Sequence, residues 1–343
     1  MKILDIKGRT GHSTLIIGES INNLSNYVSA EKVIIITDTN VGGLYMERFP
    51  DWNVIEIGTG EKIKTLDTMK DIYDQLIGFE ADRSSYVVGI GGGIVCDITG
   101  FAASTYMRGI DFGFVATTLL AQVDASVGGK NGVNLGGYKN MVGVFNQPDF
   151  VLCDMSLLKS LPREELLCGL AEIVKHGAIA DSGLFKFLEA NADRALGLKP
   201  DVIERLVYDS VVIKSGVVNR DERESGERKK LNFGHTFGHG LEKVTGIPHG
   251  EAISIGMVVA ARISSKICGL PEADVKRVES LLTALGLPTS LNCDMNNVLD
   301  ALKKDKKRKG DSIDLILLDR IGNAIIKKIS FQKLEKAIIQ CTS

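Results

Sequence analysis

The sequence predicts a two-part α/β chain, with an N-terminal parallel-sheet domain over residues 1–155 and a mostly α-helical domain over residues 156–343. Three observations carry this. Short β-branched apolar runs alternate with amphipathic stretches in the first half. Long helical periods fill the second, and a glycine-rich turn stands where a strand hands over to a helix.

Taken in order, MKILDIKGRT alternates apolar and polar residues and reads as a first strand; it lacks the apolar core of a signal peptide. KVIIITD (32–38) and WNVIEIG (52–58) follow as strands, a helical pattern covers 65–79, and SYVVGIGGG (85–93) is a strand running into glycines. Strand, helix, strand in succession calls for crossovers, hence a parallel sheet with helices on both faces. Beyond Asp154 the apolar period becomes helical over 164–180, 201–219, 251–267 and 272–285. Pro162 followed by two glutamates marks a helix start, because proline loses no hydrogen bond there and carboxylates meet the positive end of the dipole.

Composition narrows the function. At 343 residues and 44% hydrophobic, the chain buries a large core. A formal net charge of -2 excludes a general nucleic-acid binder, and no apolar run reaches the roughly 18 residues that span a bilayer. No membrane or nucleic-acid partner is expected. The six cysteines include no CxxC pair, so neither a disulfide framework nor a thiolate zinc site is indicated, and reduced cytoplasm is the natural compartment. Two charge runs, RDERESGERKK (220–230) and KKDKKRKG (303–310), are of the kind that ordinarily forms solvated loops.

Two clusters point to chemistry. VVGIGGGIVCDITGF places Gly91, Gly92 and Gly93 between a strand and a helix, where backbone amides approach a phosphate closely only if side chains are absent. The spacing is not GxGxxG, since Ile94 falls where the third spaced glycine would be. TDTN, with Asp38, and the pair Thr117–Thr118 each end another apolar strand, and three strand ends at one sheet edge suit a nucleotide. The second cluster is NFGHTFGHGLEKVTGIPHG (232–250), which holds three of the five histidines. Imidazole is the commonest zinc ligand. Helical spacing puts His235 and His239 on one face and makes them the obvious ligand pair, while His249 follows a Gly-Ile-Pro turn that could bring it back; the sequence alone does not say which two ligate. Glu172, a charge in an apolar helix, is the candidate carboxylate, and an ion pair with Lys175 is its structural alternative.

The blocks GGGIVCDITGFAASTYMRGI, TTLLAQVDASVGGKNGVNLGGYKNMVGVFNQP, GLAEIVKHGAIAD, DERESGERKKLNFGHTFGHGLE, PHGEAISIGM and KKDKKRKG together resemble the 3-dehydroquinate synthase family over nearly the whole chain. The resemblance implies a Rossmann-like NAD-binding domain and a helical metal- and substrate-binding domain, a fold shared with glycerol dehydrogenase. It implies conversion of 3-deoxy-D-arabino-heptulosonate 7-phosphate (DAHP) to 3-dehydroquinate and phosphate, using NAD+ and one divalent metal, Zn2+ or Co2+, in a homodimer. It implies Glu172, His235 and His249 as metal ligands and His239 as a proton-moving residue facing substrate. For NAD+ it implies Asp38, Asn40, Glu61, Lys64, Gly91, Gly92, Gly93, Asp97, Thr117 and Thr118, with Lys130 and Lys139 shared with the substrate. For substrate it implies Arg108, Asp124, Lys130, Lys139, Asn140, Lys175, Lys214, Arg228, Asn232 and one of Lys306 and Lys307. Arg228 and the lysine pair would grip anionic groups from loops. Cys96 stands where many relatives carry glycine. The rival readings are another sugar phosphate cyclase, such as 2-deoxy-scyllo-inosose synthase, and an alcohol dehydrogenase of the glycerol dehydrogenase type.

Overall fold

The structure, a computed structural model, describes residues 1–8, 10–291, 295–303 and 311–342. The chain divides into two compact units, Met1–Leu161 with Lys214–Glu222 and Pro162–Ile213 with Arg223–Ser343.

The first unit carries strands β1 (Lys2–Lys7), β2 (His12–Ile17), β3 (Val33–Asp38), β4 (Asn53–Ile57), β5 (Tyr86–Gly91) and β6 (Asp111–Ala116), then β7 (Lys130–Leu135), β8 (Tyr138–Phe145) and β9 (Phe150–Cys153). Its helices are α1 (Thr39–Tyr45), α2 (Leu66–Gly78) and α3 (Gly93–Thr105). A seven-stranded sheet runs in the order β1-β2-β9-β6-β5-β3-β4, parallel throughout except for the antiparallel β1–β2 pair. The central strands β3 and β5 are apolar along their length because both faces are covered, as parallel sheets require. On one face Val33, Ile35, Val88 and Leu152 meet Ile21 and Leu24 of a 3-10 helix, together with Val41 and Tyr45 of α1. Helices α2 and α3 pack against strands of this unit as well. The segment before β3 is a 3-10 helix, Ile21–Tyr27, whose Ser20 and paired asparagines favour capping and turns.

A hairpin formed by β7 and β8 was not expected from the sequence. Gly136 and Gly137 are its two-residue loop, with φ of 58° and 78°, the double left-handed turn that matches the twist of a hairpin.

The second unit comprises α4 (Arg163–Ala180), α5 (Ser182–Ala190), α6 (Ala192–Leu196), the greater part of α7 (Pro200–Arg220), α8 (His235–Thr245), α9 (His249–Cys268), α10 (Glu272–Ala284), α11 (Met295–Lys303) and α12 (Phe331–Thr342). The antiparallel pair β10 (Ser312–Arg320) and β11 (Asn323–Ser330) is an addition to the mostly helical expectation. α4 and α9 pack against each other at the centre of this unit. Pro162 is the N-cap of α4, whose first helical residue, Arg163, lies one position before the 164 read from the sequence, with Glu164 and Glu165 in the first turn. Among the described residues no helix is long and apolar enough to cross a membrane.

Candidate active site

In the first unit, register places Thr37 beside Ile90 and Gly91 beside Ala116, so the carboxyl ends of β3, β5 and β6 lie side by side. Asp38 caps α1: its Oδ1 accepts the amides of Asn40 and Val41 at 2.9 and 3.0 Å. Asn40 is exposed. Gly92 is the N-cap of α3 and supplies no side-chain bond, which leaves the first amides of that helix with the donor character that suits an anion. The glycines themselves have a second reason. A Cβ on Gly91 would lie 2.5 Å from the Val95 side chain, and one on Gly93 would lie 2.8 Å from Ala125. Packing inside the turn excludes side chains there, independently of any phosphate. Thr117 is buried, and Thr118 Oγ1 accepts the amide of Ala121 at 3.1 Å.

Beside this edge is a polar network. Lys64 is buried; its Nζ contacts the Asp97 carboxylate and donates to Asn140 Oδ1 at 2.6 Å. Burial pushes the Asp97 carboxyl above its usual range, with Lys64 opposing. Asn134, not singled out in the sequence, ties the network together. Its amide donates to Glu61 at 2.7 Å, its Oδ1 accepts from Asn140 N at 2.8 Å, and its backbone N donates to Lys64 O at 2.8 Å. Asn140 holds φ at 52°, a conformation asparagine tolerates better than most residues. Lys130 and Lys139 sit exposed on the hairpin. Lys214 Nζ reaches Asp124 Oδ1 at 2.7 Å, both within this unit. Arg108 is exposed at the end of a 3-10 turn with φ of 74°.

In the second unit the histidine cluster takes shape around α4. This helix is buried without a break from Cys168 to Ile179, so Glu172, Lys175 and His176 project from one face into packed surroundings. A buried carboxylate is costly unless paired. Lys175 Nζ contacts Glu172 Oε2, so the ion pair weighed in the sequence does form. The other carboxylate oxygen faces imidazoles: His235 Nε2 lies 3.5 Å and His249 Nε2 3.7 Å from Glu172 Oε1. Both roles fall to one residue. His235 and His239 share the α8 face, as helical spacing requires, with ring centroids 5.3 Å apart. Gly246 in the left-handed conformation ends α8, Pro248 caps α9, and His249 is returned to within 5.6 Å of the His235 ring.

The ligand atoms of Glu172, His235 and His249 all lie within 4.8 Å of one another. Two ligands of a tetrahedral zinc, each about 2.1 Å from the ion, stand roughly 3.4 Å apart. The 3.5 and 3.7 Å separations therefore fit a cation with little adjustment. Burial holds His235 well below the ordinary histidine range, neutral and able to ligate. Burial also pulls His249 down, but hydrogen bonds and charge from Glu172 and Glu242 outweigh it and hold the ring up to about 9 without a cation. A second set, His239, Glu242 and His249, is equally close.

The segment before α8 departs from the solvated loop expected of its charges. Arg228 is 3% exposed and Glu222 is 6% exposed. Glu222, in the first unit, accepts from Thr10 Oγ1 at 2.5 Å and Gln147 Nε2 at 3.2 Å. In the second unit Lys229 bonds Asp314 of β10 at 2.9 Å. Asn232 Nδ2 donates to Glu224 at 2.5 Å, which brings in a carboxylate the sequence reading passed over. Glu242, His176 and Asn134 were also missed; none stands out by composition or spacing. Lys306 and Lys307 lie outside the described residues.

A parallel-sheet unit with a glycine turn at its strand edge and a helical unit with a Glu-His-His set define a two-part α/β class of protein. Among solved structures, 2-deoxy-scyllo-inosose synthase complexed with carbaglucose-6-phosphate, NAD+ and Co2+ aligns with 99% of this chain and 100% of its own, at a TM-score of 0.88 and 26% identity. A probable glycerol dehydrogenase from Sinorhizobium meliloti, at a TM-score of 0.69, 15% identity and 98% coverage of both chains, shares the fold. The chain belongs to the 3-dehydroquinate synthase family: residues 54–168 match its N-terminal part and residues 169–308 its C-terminal part. It is 43% identical over 320 residues to the 3-dehydroquinate synthase of Acetivibrio thermocellus, covering 90% of this chain and 89% of that protein. Against the 3-dehydroquinate synthase of Halorhodospira halophila it is 42% identical over 311 residues, 88% of each chain.

Proposed function

We propose that this chain converts DAHP to 3-dehydroquinate and inorganic phosphate, as a carbon-oxygen lyase of the shikimate pathway that depends on NAD+ and one Zn2+ or Co2+. The observation that carries the reading is the Glu172, His235, His249 set, built into a chain about 40% identical to enzymes of that name. When bound, NAD+ would accept a hydride from the substrate's fifth carbon and later return it, and the divalent ion would polarise the hydroxyl there. No net redox change results.

The chain's own residues supply the rest. Glu172 Oε1 and the two Nε2 atoms would hold the cation, while Lys175 neutralises the remaining oxygen of Glu172. His239, whose ring lies 5.3 Å from that of His235, is suited to move a proton at the hydroxyl beside the cation. Lys130, Lys139, Asn140, Arg108, Asp124, Lys214, Arg228 and Asn232 are assigned to substrate; the basic members among them would neutralise its carboxylate and phosphate. For Arg228, burial of the guanidinium favours a fixed, directional contact over a mobile one. Asp38, Asn40, Glu61, Lys64, Asp97, Thr117, Thr118 and the Gly91–Gly93 turn are assigned to NAD+, making the first domain the cofactor side. Ring opening and aldol closure then need mainly a template that holds the chain in a reactive shape. A homodimer is part of the reading.

The test is phosphate release from DAHP with NAD+ and metal each omitted in turn. Release that needs both, without accumulating NADH, supports the reading. Net NADH formation would favour a dehydrogenase, and turnover of glucose 6-phosphate in place of DAHP would favour 2-deoxy-scyllo-inosose synthase chemistry.

A further inference from the structure

His249 has both ring nitrogens spoken for by carboxylates. Its Nε2 faces Glu172 Oε1 at 3.7 Å, and its Nδ1 lies 3.0 Å from Glu242 Oε1. Glu242 stands near the end of α8, seven residues after His235 and so two turns along from it, while His249 opens α9. The contact therefore spans the turn at Gly246–Pro248 and joins the last turn of one helix to the first of the next. The Glu242 side chain is 14% exposed and that of His249 32%, so the carboxylate is the better shielded of the two partners.

The arrangement decides a tautomer. An imidazole whose Nδ1 carries the proton, donated to Glu242, presents an unprotonated Nε2 towards Glu172 and His235, which is the state a cation needs. Rotation of the ring about its bond to Cβ would break the Glu242 contact, so the same bond also fixes the plane of the ring. Glu242 is near enough to join a ligand set itself with His239 and His249. Two features argue for the supporting role. Its oxygen meets the nitrogen of His249 that faces away from Glu172, and Glu172 already supplies a buried carboxylate to the first set.

We propose that Glu242 is a positioning residue that orients His249 and sets its tautomer for a divalent cation, without ligating the cation itself. The inference rests on the metal-dependent reading above, and the test separates the two. Full-length protein and its Glu242→Ala and Glu242→Gln variants would be titrated with Co2+, measuring dissociation constants by competition with a chromophoric chelator and the visible absorption of the bound ion. Loss of an outer hydrogen-bond partner of a ligating histidine typically costs roughly 10–100-fold in metal affinity. Glu242→Ala should fall in that range. Glu242→Gln, whose amide oxygen still accepts from Nδ1–H, should lose less, and both should keep the wild-type Co2+ band shape and one ion per chain. A changed band shape in Glu242→Gln would make Glu242 a ligand and overturn the proposal, as would unchanged affinity in Glu242→Ala. Wild-type protein that binds no Co2+ would overturn the metal reading together with it.

Discussion

Gly256 on α9 faces the backbone of the segment that carries His235 and His239, and replacing it with alanine should open the histidine cluster. A Cβ there would lie 2.1 Å from the carbonyl oxygen of Gly234, 2.8 Å from Gly238 N and 3.0 Å from Gly234 C. The nearest approach is more than an ångström short of ordinary contact, which begins at 3.4 Å. None of the three atoms belongs to a side chain that could rotate away, so relief requires α9 and the start of α8 to separate by about an ångström. Overpacking of this kind costs typically about 1–3 kcal/mol. In a protein of 343 residues each kcal/mol lowers Tm by roughly 1–2 °C. Because metal-ligand distances tolerate only about 0.2 Å of error, a separation that size should weaken Co2+ binding more than about tenfold. The assay is thermal unfolding of the metal-free protein alongside Co2+ titration. Gly43→Ala is the control: a Cβ at Gly43 in α1 meets nothing within 4 Å, and removing a helical glycine there should stabilise by roughly 0.5–1 kcal/mol. A Gly256→Ala protein with wild-type Tm and wild-type affinity would show that the close approach of α8 and α9 does not set the spacing of the histidines.

Lys175→Met strands the buried Glu172 carboxylate unless a cation replaces the lysine, so the metal-free variant should lose about 3–5 kcal/mol by chemical denaturation. Added Zn2+ should restore much of that loss; equal unfolding midpoints with and without chelator would refute the pairing. Asn134→Ala removes the side-chain bonds to Glu61 and to the Asn140 amide, each worth about 1 kcal/mol, while keeping the backbone bond to Lys64, and should weaken NAD+ binding roughly tenfold. Fluorescence titration with NAD+ tests this, and unchanged binding would mean the network is only structural. Burial raises the thiol of Cys153 to about 12 and pushes those of Cys96 and Cys168 up as well, so alkylation at pH 8 should spare all three in the folded protein. Mass spectrometry should find Cys268, only partly buried, labelled before them, and early labelling of Cys153 would contradict its place in the sheet.

Much of the fold could be read from periodicity because its central elements are uniform. The runs that became β3 and β5 are apolar on both faces, and the helices of the second unit keep a helical period over many turns. The two hairpins escaped for different reasons. β7–β8 is announced only by the Gly136–Gly137 pair inside a stretch that also resembled a motif, and SIDLILLDR of β10 is a near-continuous apolar run that periodicity cannot assign. At the site, residue types were legible and geometry was not. Spacing pairs His235 with His239, yet the approach of His249 depends on one left-handed glycine and the direction of α9. Glu242 and Asn134 act through which atom meets which, a property with no signature in composition. Arg228 sits in a run of charges that suggested solvent, and only packing reveals that its guanidinium is enclosed.

The tip of the β7–β8 hairpin carries a consequence for chemistry performed on the protein itself. Gly136 and Gly137 both hold backbone angles of the mirror-image kind, and a Cβ at either would meet nothing within 4 Å. A D-alanine occupies such angles as comfortably as an L-alanine occupies ordinary ones. In a semisynthetic chain, D-alanine at both positions would remove freedom from the unfolded state without a clash in the folded one, an effect of roughly 0.4–1 kcal/mol per site. The strands that bear Lys130, Lys139 and Asn140 would then be joined by a stiffer tip, obtained by inverting handedness with no side-chain contact altered.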